Sequence, residues 1–317
     1  MLAVILVLSL LVAVAARGQE PFAEQNGEPY VITADRVELE VIGEQTVTHL
    51  VGNVVVTHGE AVLTGEEATA FEQQSLAVIR GNVRLIDQGV VFTGREGAYL
   101  RDERRAELTG DVVIVDRDKT ITADRITYLR DTRVAEGYGN VCIVNSDRDV
   151  TVCGGEGTYD FAADHGTMEE SPTIILSRGR PTVIDAERVE LFDGDDIAIA
   201  RGGVEVKREQ VEAQCDELVY HSSEERALLR GDPVVVEGAN WLKGNEIELI
   251  FADNALTEAH VMGRARCRHE VEGGGVNEVE GESITVTFEN ESATRMIVEG
   301  QARGVYRLPS EEEESGD

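Results

Sequence analysis

Two short sequence marks recur in step along the chain, and that recurrence constrains the fold more than any other feature of the 317 residues. The first mark is a Gly, a small polar residue and an apolar one. It stands at Gly52-Asn53-Val54, Gly81-Asn82-Val83, Gly110-Asp111-Val112 and Gly139-Asn140-Val141, each 29 residues after the last. It returns at Gly202-Gly203-Val204 and, degenerate, at Gly231-Asp232-Pro233 and Gly263-Arg264-Ala265. The second mark lies between: Thr33-Ala34-Asp35, Thr64-Gly65-Glu66, Thr93-Gly94-Arg95-Glu96 and Thr122-Ala123-Asp124, with later, looser copies. About nine repeats of roughly 29 residues follow. Such a chain stacks like units, each burying its neighbour's apolar face.

Within a repeat the apolar residues alternate, which is the period of a strand with one buried face. After each Gly the alternating pairs are Val54/Val56, Val83/Leu85, Val112/Ile114, Val141/Ile143 and Val204/Val206. Before it stand Ile79 and Leu108, and after the second mark Ile126 and Tyr128. These fourteen residues are the candidate lining of an apolar interior. Tyr99, Tyr128, Tyr159 and Tyr220 form one inner row whose hydroxyls need partners. Apolar positions on either side of the second mark, such as Ile121 and Ile126, are five apart. An odd separation cannot face inward on one regular strand, so a bulge or corner is required between them. The expected fold is all-β, an elongated repetitive β-jelly roll or β-solenoid-like stack, with about three short strand segments per repeat. Its expected bounds are residues 30–305, with 306–317 a disordered acidic tail.

Leu2–Ala16 is apolar or small apart from Ser9, too short for a membrane span and suited to a cleaved signal peptide over residues 1–16. Export permits disulfides. A hairpin turning on residues 145–149 with Ile143 and Val152 both inward sets Cys142 opposite Cys153, and a bond is expected there. Cys215 and Cys267 are expected as buried thiols.

Sixty-one acidic residues against 29 basic ones give a net charge of −32, which excludes a nucleic-acid binder. Neither His spacing nor any nucleophile or phosphate-loop motif points to catalysis, and no metal or cofactor is expected. The recurring acids Asp35, Glu66, Glu96, Asp124, Glu156 and Glu187 are read as turn-bonding residues, with a calcium ladder as the lesser possibility.

The stretches Ile32–Val37, Leu50–Val56 and Ile121–Tyr128 resemble the OstA-like family, which includes lipopolysaccharide-transport bridge proteins of the LptA kind. The resemblance implies a β-jelly roll carrying acyl chains on its apolar inside. It implies a non-enzymatic periplasmic lipid carrier between inner and outer membranes, joined through sheet edges to LptC-like and LptD-like proteins or head-to-tail to copies of itself. The alternatives are a structural or adhesive exported β-solenoid and, further off, a β-solenoid enzyme acting on polysaccharide.

Overall fold

The computed structural model describes residues 30–271, 275–289 and 292–307. The expected signal peptide and residues 308–317 of the expected tail lie outside them. Tyr306 and Arg307, assigned to that tail from sequence, belong instead to the strand Arg303–Arg307.

Strands joined by turns make up the described residues, with one 3-10 turn, Glu72–Gln74, among them. No helix among the described residues is long and apolar enough to cross a membrane. Neighbouring strands pair antiparallel, in the manner of a jelly roll rather than of a parallel coil. The chain divides into two compact units. One runs to Asp147 and takes in Glu156–Ala162; the other holds Arg148–Gly155 and everything from Ala163 onward.

In the first unit each repeat supplies two long strands, not three short ones. Leu76–Asp87 is followed by Val90–Leu100, and Arg105–Asp116 by Lys119–Leu129. Every long strand is bent at its middle, where the register with its neighbour shifts: between Arg80 and Val83, Thr93 and Glu96, Thr109 and Val112. The hydrogen-bond ladder resumes beyond each bulge, so two apolar half-strands join into one strand instead of ending at a loop. The half-strands before and after the bends form two facing walls. The first wall contains segments such as 76–80, 96–100 and 125–129, and the second 54–58, 83–87 and 112–116. Ile121 and Ile126, on opposite sides of a bend, are both buried, as the odd spacing requires.

The corner residue and its follower both adopt left-handed backbone. Gly139 has φ 74 and Asn140 φ 49. A Cβ at Gly139 would lie 2.4 Å from Oδ2 of Asp124, so both conformation and space call for Gly. Asn140 Nδ2 donates to Asp124 Oδ2 at 2.9 Å, and Asn53 to Asp35 in the same way at 2.9 Å. The corner acids Asp35, Glu66 and Asp124 thus accept from asparagine side-chain amides. Two others were misplaced from sequence: Arg95 and Gly155 hold the corner position, not Glu96 and Glu156. Arg95 bonds Asp111, so a base stands where the other corners of this unit have an acid and an acid where they have an asparagine, and Glu96 accepts from Arg80.

In the second unit the corners are Glu170-Ser171, Gly202-Gly203, Gly231-Asp232, Gly263-Arg264 and Gly300-Gln301, all at positive φ. The first of these lacks the Gly-polar-apolar mark and was not read from sequence. Pro172 and Pro233 follow two of the corners and lack the N–H that would carry the ladder through. The strands there are separate short pieces, as at Arg226–Arg230 and Val234–Glu237.

Candidate functional site

Eleven of the fourteen expected lining residues are almost wholly removed from solvent. In the first unit Val54, Ile79, Val83, Leu108, Val112, Ile114, Ile126, Tyr128, Val141 and Ile143 are buried, and Val56 and Leu85 half-buried. In the second unit Val204 is buried and Val206 half-buried. The rows from the two walls of the first unit meet in a single apolar interior.

That interior is not a uniform trough. Val56, Leu63, Ile79, Val83, Leu85 and Leu108 bound a cavity of about 70 Å³. At about 10–15 Å³ for one water-sized probe, this is room for a few methylene groups. Beyond it the space is filled. Phe92 and Tyr128 pack with ring centroids 4.6 Å apart, Phe161 stands edge-on to both at 6.1 and 6.3 Å, and Tyr159 lies 5.0 Å from Phe161. A second cavity, by Ile126, Val141 and Tyr159, holds only about 10 Å³.

The inward rows of the second wall end on polar residues: His58, Asp87, Asp116 and Asn145. Asp87 is 1% exposed, and Asp116 and Asn145 are also buried. Arg130, two residues past Tyr128 on the first wall, reaches this row. Its Nε donates to Asp87 Oδ2 at 3.1 Å. Its Nη1 lies 2.9 Å from His58 Nδ1, and its Nη2 donates to the His58 carbonyl at 3.3 Å. The Tyr128 hydroxyl donates to Asp87 Oδ2 at 3.4 Å. Tyr30 stacks on the His58 ring, centroids 4.0 Å apart, and its hydroxyl is hydrogen-bonded to Tyr99.

Burial governs the chemistry of this group. It pushes the Tyr30 hydroxyl up to about 12, helped by the bond to Tyr99. It pushes Tyr128 up to about 12 as well, helped by the Asp87 charge. Burial works against the Arg130 charge, but the hydrogen bonds and charge of Asp87 outweigh it and hold Arg130 above the ordinary arginine range. Arg130 is therefore a fixed cation and the two phenols are neutral. These three side chains bind and position by hydrogen bonding. Among the described residues no group of His, Cys, Asp or Glu is arranged to hold a metal ion.

Sequence reasoning found the apolar lining and missed the polar ends of its rows. The signal was present: the sixth position after the corner Gly is polar in four successive repeats, at His58, Asp87, Asp116 and Asn145. Cys142 and Cys153 are disulfide-bonded, and Cys215 and Cys267 are free and buried. Burial pushes Cys215 up to about 12 and Cys267 to about 11.

Bent antiparallel strands around an apolar interior define an all-β protein of the jelly-roll kind. A family model described as LptA/(LptD N-terminal domain) LPS transport protein matches residues 31–134 and, in a second, overlapping alignment, residues 93–255. The matches span more than half of the chain, and the chain belongs to this family of lipopolysaccharide-transport proteins. No curated protein matches it.

Proposed function

We propose that this protein is a non-enzymatic carrier of lipopolysaccharide or a related glycolipid in the periplasm. It would be exported by a signal peptide at residues 1–16 and hold acyl chains between the facing walls, in transit from inner to outer membrane. The observation that carries the reading is the apolar cavity bounded by Val56, Ile79, Val83, Leu85 and Leu108 in a chain of this family. Each methylene moved from water into such a space gains about 0.8 kcal/mol, so acyl chains need no directional bond. At net charge −32 the protein does not attract an anionic headgroup.

Its partners would be other OstA-like proteins, LptC-like and LptD-like, or further copies of itself. The supporting feature is the edges. Arg36–Ile42 pairs with Gln45–His58 on one side and exposes Leu39, Val41 and Ile42. Arg303–Arg307 pairs with Gly275–Glu289 and exposes Val305 and Tyr306. Open apolar edges accept a strand from another chain.

The aromatic packing of Phe92, Tyr128 and Phe161 favours a second reading, a structural β-roll with a filled core. Lipid extraction separates the two. Protein purified without detergent from a glycolipid-producing envelope should release stoichiometric acylated glycolipid in mass spectrometry. Lipid-free protein would favour the structural reading.

A further inference from the structure

In the first unit the walls meet through backbone at their bends, but at their far ends they are tied by side chains. Arg130 extends the first wall and holds His58 and Asp87, which close inward rows of the second. Tyr30, just ahead of the second-wall strand Val31–Thr33, stacks on His58 and bonds Tyr99 of the first wall. Arg130 also bonds Tyr99, so the two ties are one network. All five side chains line the 70 Å³ cavity, and Tyr128, backed by Phe92 and Phe161, lines it too.

Charge and energetics decide what the network does. Asp87 already neutralises Arg130, so the cluster offers no net positive charge to an anionic headgroup. A buried ion pair also contributes little net stability compared with apolar residues in its place. What it does supply is a specific, releasable tie between far ends of the two walls. In the second unit, considered by itself, arginines also tie far ends of facing half-strands, but from the opposite side. Arg148 pairs with Asp196 at 2.5 Å and donates to the Asp193 carbonyl at 3.0 Å. Arg208 donates to the Asn254 carbonyl at 2.7 Å. Each joins the far end of one half-strand of that unit to a turn that ends the facing half-strands of the same unit.

We propose that Arg130, with Asp87, His58, Tyr30 and Tyr99, forms a side gate through which an acyl chain enters the cavity between the free ends of the walls. The gate opens when Arg130 lets go of His58 and Asp87 and closes when the tie reforms. This rests on the lipid-carrier reading and adds the route by which that cavity is loaded.

The test is stopped-flow binding of a dansyl-labelled undecanoic acid to the full-length protein. Wild type is compared with Arg130→Ala and with Tyr30→Ala, which alters a residue outside the strands. Removing the tie should speed association and dissociation together by about tenfold, the factor carried by one hydrogen bond to a charged group, while Kd changes much less. Wild-type rates in both folded variants would overturn the gate and leave the carrier reading standing. Failure of wild type and variants alike to bind the probe would overturn both. If Arg130→Ala does not fold, the Tyr30→Ala rates decide in the same way.

Discussion

At Gly139 a left-handed backbone and the carboxylate of Asp124 occupy the space a side chain would need. Gly139→Ala should lower unfolding free energy by about 1–2 kcal/mol, the cost of forcing an L-residue into that region, as read by urea denaturation. A variant as stable as wild type would mean the corner relaxes freely. The buried thiols give a second check. An unfolded thiol ionises near 9.0, whereas folded Cys215 does so near 12. The folded form therefore keeps its proton over that interval. Its stabilising contribution is complete below pH 9 and is lost as pH rises towards 12. At pH 8 iodoacetamide should leave Cys215 and Cys267 unmodified in native protein and label both after unfolding. Native labelling at the unfolded rate would contradict their burial. These two Cys were legible as buried from strand parity alone. The corner acids were less so, because Arg95 stands where the neighbouring corners have an acid and Asp111 where they have an asparagine, so the mark's composition no longer reports its role.

Among elements, the bent strand is the unit that repeats. Alternation before and after each Gly was plain in the sequence, and the five-residue step from Ile121 to Ile126 demanded a bulge. Strand length was not plain, because a Gly-Asn pair looks the same whether it ends a strand or bends one. The corner at Glu170-Ser171 was invisible, since neither residue is a glycine although both take positive φ. The filling of the interior was also hidden: Phe161 follows Tyr159 by two on an inward row, and only packing shows that it closes on Phe92 and Tyr128. Phe161→Ala should cost about 3–5 kcal/mol in chemical denaturation, as for other large-to-small changes in a packed core. A loss below about 1 kcal/mol would mean the aromatic group is loosely held.

For the molecule as a whole, charge sets the conditions of stability. Many arginines are already paired on the outer faces, as Arg230 is with Glu217 and Glu246. Exposed pairs of this kind are screened by water and stabilise little, whereas the excess of 32 negative charges repels itself throughout. Raising salt from about 0.01 to about 0.1 M shortens the screening length from about 30 to about 10 Å. The melting temperature should rise over that range; a fall would mean that the ion pairs outweigh the repulsion.

The central claim is that lipid travels on the inside of the walls, and site-specific photocrosslinking in glycolipid-producing cells tests it most directly. A photoreactive residue at Val56 or Leu85, which line the cavity, should capture glycolipid. The same residue at Arg84, next to Leu85 on the opposite, exposed face of its strand, should capture none. Equal capture at Leu85 and Arg84, or capture at Arg84 alone, would contradict an interior path.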